Sequence, residues 1–311
     1  MKLSIILVTY NHEIYIRKAL ESIYNQIFDF SKVEIIIADD YSTDSTIDII
    51  KSLEHKFPAE TKIIYLDRGG NIGITKNYQS AFENCKGEYV AVMEGDDYWT
   101  SPYRLQKMVN VLEDNFHVGM VSNNYYVYNQ STKKSYLRVS KKSGIDFFVA
   151  PDLVKDNLVG NFSTCMYRKT ELELLPSKLF EITSYDWIIS ICITSNSYLA
   201  FMNEPMSIYR VHENGVWSSA SEEEKIKEQL ETIKQYDQLT DFTYSSQFSE
   251  VSSILQRKLQ FSESRLNSNL LLKSLTKKII LSARSFTPPF ISWTLRMLLP
   301  PIVTSLLSKV R

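Results

Sequence analysis

Little in this chain is extreme, and what is scarce narrows the reading first. Only three cysteines occur, Cys85, Cys165 and Cys192, an odd number without metal-ligand spacing. That argues against a disulfide framework and for a reducing, cytoplasmic setting. The net charge of −1 removes any global argument for nucleic acid as a partner. The apolar start from Leu3 to Val8 is too short for a signal-peptide core and runs into a polar turn, so no export signal is expected. An uninterrupted apolar span of about 18 to 20 residues is missing, which argues against a membrane-crossing helix. A glycine-rich loop with a basic residue is absent after the first apolar run. Thr9-Tyr10-Asn11-His12-Glu13 stands there instead, which argues against nucleotidyl transfer. The last scarcity is local: beyond Glu263 there is no acidic residue, so the tail carries +8 and the rest of the chain −9.

What is present is enough for a substantial core, with 44% hydrophobic and 23% charged residues among 311. Leu3 to Val8, Val33 to Ala38, Lys62 to Leu66 and Tyr89 to Met93 are short, β-branched runs that read as buried strands. Between them the period changes to helical: Ile14, Ile16, Leu20, Ile23 and Tyr24; then Ile47, Ile49, Ile50 and Leu53; then about Thr75 to Asn84. Asp44 and its neighbours Ser42, Thr43 and Ser45 offer starts for the second helix. Such alternation, with short connections, predicts an α/β fold with a parallel sheet covered on both faces by right-handed crossovers. Thr9, Asp40 and Asp96 all fall at carboxyl ends of strands, where open α/β sheets bind ligands.

The organising stretch is Glu94-Gly95-Asp96-Asp97-Tyr98-Trp99. Crowded carboxylates repel one another and are relieved by a cation, and their hard oxygens suit Mg²⁺ or Mn²⁺ carrying a phosphorylated substrate. Taken alone, a solvated acidic turn reads the same way. Further on, the Tyr- and Asn-rich run 123–128 reads either as lining of an acceptor cleft or as a half-buried strand. Residues 133–142 read as a loop or edge hairpin. Asp186 precedes the apolar helix Ile188 to Ile193, where an acid is also a plain first-turn residue favoured by the helix dipole. From Ser221 the composition shifts to a charged helix reaching about Leu239 and a second from about Phe248 to Leu272. Both are expected to pack on the domain or on a partner in a homodimer. The end is apolar and basic with Trp293 and Phe290, the pattern of a helix lying in a membrane interface or of a tail packed on protein.

Five motifs in order then carry a resemblance: VTYN at 8–11, ADDYSTDST at 38–46, NIGITKN at 71–77, GEYVAVMEGDDYW at 87–99 and YRVHENGVWS at 209–218. The chain resembles inverting glycosyltransferases of family two, of the bacterial cell-surface polysaccharide type. The resemblance implies a GT-A fold, Rossmann-like and mostly parallel, over residues 1–220, with a nucleotide-sugar half at 1–100 and an acceptor half at 101–220. Residues 221–311 are then a helical C-terminal region.

The resemblance also implies roles. Thr9, Tyr10, Asn11 and Glu13 would meet the donor's base and ribose, with Asp40 accepting from a ring N–H such as uracil's. Lys76 stands where an Arg often neutralises diphosphate, and as Lys it loses the bidentate fork. Asp96 matches the second acid of a D-x-D element whose first acid is here Glu94, one methylene longer. Asp96, Asp97 and His212 are the implied metal ligands, for Mn²⁺ or Mg²⁺. Asp186 becomes the catalytic base, with Tyr185 in place of the acid that usually precedes it, and Trp217 is a candidate cover for a sugar. The activity implied is metal-dependent transfer, with inversion, from a nucleotide-diphosphate sugar, UDP-linked by default, to a glycan or lipid-linked glycan. The place implied is the cytoplasmic face of the plasma membrane, with no nucleic acid involved. A catalytically silent sugar-binding module of the same fold is the alternative.

Overall fold

In the computed structural model, residues 1–67, 69–183, 185–213, 215 and 221–262 are described. The first half alternates as its periodicities require. Strand β1 (Leu3–Thr9) leads to helix α1 (Ile16–Tyr24), β2 (Val33–Asp39) to α2 (Thr46–Leu53), and β3 (Lys62–Tyr65) to α3 (Ile74–Asn84); β4 (Tyr89–Glu94) then ends at the acidic stretch. These four strands lie parallel in the order β3-β2-β1-β4. All seven residues of β1 are buried, as expected for a strand covered on both faces.

Three helices dock through simple stripes. Ile16, Ala19, Leu20 and Ile23 form the buried face of α1, and Tyr78, Ala81 and Phe82 that of α3. Leu105, Met108, Val109 and Leu112 do the same for α4 (Arg104–Asp114). The α1 and α4 stripes meet Ile5, Leu7, Ile35, Ile37, Ala91 and Met93 in one core. Each fully buried Ile or Leu contributes roughly 1.5–3 kcal/mol of transfer free energy.

The second half adds strands of mixed direction. They are β5 (Tyr98–Trp99), β6 (Val118–Asn129), β7 (Lys134–Leu137), β8 (Ile145–Phe148), β9 (Cys165–Arg168) and β10 (Tyr198–Val211). The full path is β3-β2-β1-β4-β9-β6-β10-β5, with β7 on the edge of β6 and β8 on β10. β9 is antiparallel to both β4 and β6, so the sheet is mixed at its middle. Of the loop or edge hairpin expected at 133–142, the structure has the hairpin: β7 pairs antiparallel to β6. Helices α5 (Ala150–Lys155), α6 (Lys169–Glu173), α7 (Asp186–Thr194) and α8 (Glu222–Leu239) complete the named elements.

The chain divides into two compact units, Met1–Leu255 and Gln256–Arg311. The first unit therefore runs past residue 220, where the sequence places its boundary. The reason is packing: Ile226, Ile233 and Tyr236 of α8 are buried, and the Tyr236 ring sits 5.7 Å from that of Trp187 on α7. Residues 245–255 are helical and belong to the same unit. Of the second unit only 256–262 are described, and they are helical. The apolar basic tail and the end of the expected 248–272 helix lie outside the described residues. No helix among the described residues is long and apolar enough to cross a membrane.

Candidate active site

The site is built where parallel strands end. β1 delivers Thr9, β2 delivers Asp40 just past its end, and β4 delivers Glu94 with Asp96 and Asp97 in the turn beyond it. A cavity of about 250 Å³ opens between them, lined by Thr9, Tyr10, His12, Asp40, Glu94 and Asp96 among others. Its rim is tied by hydrogen bonds between the loops. The Thr43 amide donates to Asn11 Oδ1 at 2.8 Å, the Ser45 amide to Glu13 Oε2 at 3.0 Å, and the Glu13 amide to Asp44 Oδ2 at 3.0 Å. Asn11 adopts φ 53°, which Asn tolerates better than most residues. Asn11 and Glu13 thus lash two loops together and do not line the cavity.

Asp40 is buried at 5% exposure. Its two carboxylate oxygens accept the Ile72 and Gly73 amides at 2.8 and 3.0 Å, so it also fastens the glycine-bearing loop before α3. Each oxygen keeps a lone pair beyond these bonds. Lys76 is exposed on α3, donates to Gln79 Oε1 at 3.1 Å, and is not among the residues lining the cavity.

The acidic turn splits its two aspartates between different tasks. Asp96 faces the cleft, with His212 Nε2 3.0 Å and His12 Nε2 3.9 Å from its Oδ2. Asp97 turns inward at 1% exposure. Asn161 Nδ2 and Ser163 Oγ donate to its Oδ2 at 2.7 and 2.8 Å, and the Arg210 amide donates to its Oδ1 at 2.8 Å. Asp97 is therefore a brace between the turn, the 161–164 segment and β10. Burial and the neighbouring Asp96 charge push its carboxyl up to about 8 against those three donors. Burial opposes ionisation of Asp96 as well, but its bond with His212 and the nearby His12 hold it below the usual carboxylate range. Glu94 is raised by burial and by both aspartates, and Tyr78 Oη donates to it at 3.0 Å.

Among the described residues, no group of three or more His, Cys, Asp or Glu forms a metal cage. Asp96 and His212 offer one oxygen and one nitrogen. Two donors about 2.1 Å from an octahedral ion and at right angles to each other lie roughly 3.0 Å apart, so their spacing fits a shared ion. Such an ion would complete its shell with diphosphate oxygens and water.

Asp186 opens α7 and lines a small space of about 90 Å³ together with Glu94, Asp96, Arg210, Tyr185 and Tyr209. Asn157 Nδ2 donates to Asp186 Oδ2 at 3.2 Å. Burial raises the Asp186 carboxyl to about 6, moderated by Asn157 and by the first-turn amides of α7. Its place as a helix-start acid and its place in the cavity are thus one and the same. Trp217 lies outside the described residues.

Some of the machinery has no motif. Arg104 is fully buried, stacks 4.3 Å from the Trp99 ring, and donates to Asn123 Oδ1 at 2.7 Å and to the Ser163 carbonyl at 3.0 Å. Ser163 in turn holds Asp97 and accepts the Glu94 amide at 3.0 Å. Arg210 donates through Nε to the Asp96 carbonyl at 2.8 Å. Arg210 stands inside the 209–218 motif without a role of its own there, and His12 and Asn157 give no signal.

Comparison with known proteins places this geometry. The Glycosyl transferase family 2 profile matches residues 4–173. An uncharacterized protein of Mycobacterium bovis is 33% identical over 227 residues, covering 70% of this chain and 61% of the relative. The chain thus spans about three fifths of the length of that relative. Among solved structures, Staphylococcus aureus TarS 1-349 with UDP-GlcNAc aligns at TM-score 0.63 and 20% identity, over 84% of this chain and 73% of that one. The Pyrobaculum calidifontis mannosyltransferase PcManGT with GDP-Man and Mn²⁺ aligns at TM-score 0.58 and 15% identity, over 99% and 83%. At these identities the structures establish the fold.

Proposed function

The chain belongs to glycosyl transferase family 2 and has the GT-A fold, and on that premise we propose that it transfers a sugar from a nucleotide-diphosphate donor to a glycan hydroxyl with inversion. One observation carries the reading. Asp96 and Asp186 line a single small cavity, and of the two Asp96 alone also lines the donor cleft.

The chemistry divides between the two sides. A divalent ion held by Asp96 and His212 would neutralise charge on the leaving diphosphate. The imidazole nitrogen favours Mn²⁺ over Mg²⁺, whose preferred ligands are all oxygen. Arg210, rather than Lys76, is the cation that lines the central cavity and would meet developing negative charge there. Asp40 uses its remaining lone pairs on a ring N–H of the donor base, which favours a uridine donor. Glu94 accepts from a sugar or ribose hydroxyl. Asp186 takes the proton of the acceptor hydroxyl while that oxygen bonds to the anomeric carbon. The bond from that carbon to the phosphate oxygen breaks, and its electron pair leaves with the nucleoside diphosphate. Attack from the side opposite the leaving group gives inversion. We place the acceptor, a glycan or lipid-linked glycan, at an anionic membrane surface reached by the basic tail.

Nucleotide release from a panel of UDP-, GDP- and dTDP-sugars, with Mn²⁺, Mg²⁺ or EDTA, tests the reading. We expect turnover of one UDP-sugar, fastest with Mn²⁺, lost in EDTA, and reduced at least 100-fold in Asp96→Ala and His212→Ala. Equal turnover in EDTA would remove the metal from the mechanism.

A further inference from the structure

The cavity at Asp186 does not end there. The central space shares Gly160, Tyr185, Asp186 and Tyr209 with a further cavity of about 340 Å³, which lies beyond Asp186 from the donor cleft. Helix α8 walls it. Lys225, Gln229, Thr232 and Tyr236 all line it, at spacings of four, three and four that make one stripe of a helix. The stripe is firmly held. Ser221 and Glu224 close a capping box at 3.2 and 2.8 Å, and Ile226, Ile233 and Tyr236 are buried.

The lining has carbohydrate-binding character: amides from Asn157 and Gln229, hydroxyls from Thr232 and the tyrosines, and the Trp187 ring. Its charges are one acid, Asp186, and one cation, Lys225. Lys225 is half-buried, and no carboxylate of the described residues pairs with it; Glu228, one turn on, is exposed. An ammonium lining a cavity gains most from an ionised acceptor, and a neutral sugar supplies none. An anionic substrate does.

We propose that this cavity is the acceptor site and that Lys225 selects an acceptor sugar bearing a phosphate or carboxylate group. Calling the ligand an acceptor rests on the transferase reading; the anion preference of the cavity does not. Gln229 and the tyrosines then hold the ring, while Lys225 sets which sugars bind well enough to present a hydroxyl to Asp186.

Ligand-observed NMR titration of the full chain tests this without requiring turnover. The probes are α-D-glucose 1-phosphate, its farnesyl ester in detergent, D-glucuronate, and methyl α-D-glucopyranoside as the neutral reference. At least one anionic probe should bind tenfold or more tighter than the neutral one. Lys225→Gln should bring all probes within about twofold, and Lys225→Arg should restore the preference. Gln229→Glu, which sets a carboxylate one turn from Lys225, should abolish it too and serves if Lys225→Gln does not fold. The free and farnesyl phosphates separate a soluble sugar phosphate from a lipid-borne one, and glucuronate separates carboxylate from phosphate. No saturable binding, no anion preference in the wild type, or a preference that survives Lys225→Gln overturns the proposal. Silence in the nucleotide-release panel alongside a Lys225-dependent anion preference would instead reject the transferase reading.

Discussion

At the scale of single residues, the account turns on Asp186. A general base must be ionised, and burial holds this carboxyl at about 6 rather than the ordinary 3.8. The kcat/KM for transfer should therefore fall about tenfold per pH unit below pH 6 and be level above it, because the limb reports the essential base in the free enzyme. The same shift fixes a sign for stability. The folded state binds this proton more tightly than the unfolded chain, so the stabilisation it confers is complete below the ordinary carboxylate pKa. It is lost as pH rises through about 6. At pH 7.5 the ionised carboxylate is a cost, and Asp186→Asn should raise stability by about 1 kcal/mol after discounting for partial exposure. At pH 4 the gain should vanish. Paired urea titrations at the two pH values check this, and a destabilised variant at pH 7.5 would contradict it.

At the scale of elements, the acidic turn depends on a buried frame of protein–protein hydrogen bonds. Arg104, brought down to about 9 by burial, spans α4, β6 and the 161–164 segment through Asn123 and Ser163. Arg104→Met should cost about 3 kcal/mol, since two buried acceptors lose a charged donor, and a loss under about 1 kcal/mol in urea would show that the frame holds without it. Most of the frame's strands were legible. β1, β2 and β4 are continuous apolar runs, and their helices carry regular stripes. β5 was not, because two residues between an acidic turn and Thr100 carry no periodicity, and its pairing with Ser207 and Ile208 is made by a strand about a hundred residues away. Asp96 and His212 could be read from motifs. Asp97 could not be told from Asp96, because neighbouring residues in a tight turn face different ways and only the folded 161–164 segment shows which one turns inward. Arg210 binds Asp97 through its backbone amide, which every residue but proline has, so that contact could not be read from residue type.

At the scale of the whole molecule, charge is divided along the chain. The tail beyond Glu263 carries +8 and the rest −9, so an anionic membrane should attract one end and repel the other. Each basic residue near such a surface contributes about 1 kcal/mol. Full-length protein should therefore co-sediment with vesicles containing 30% phosphatidylglycerol at low salt and lose most of that binding at 0.5 M NaCl. Replacing Lys273, Lys277, Lys278 and Arg284 together with Gln should weaken it at least 10-fold, and unchanged binding would detach the tail from the membrane. The catalytic arrangement does not depend on that outcome. It rests on the proposal that two carboxylates lining one cavity have separate duties, Asp96 serving the donor and Asp186 the acceptor, and the direct test is to remove one duty and measure both. In Asp186→Asn, nucleotide-sugar affinity measured by calorimetry with Mn²⁺ should stay within about twofold of wild type, while single-turnover transfer should fall 10²- to 10⁴-fold, the usual share of a general base. Transfer at the wild-type rate with donor affinity intact would contradict the assignment of Asp186 as base.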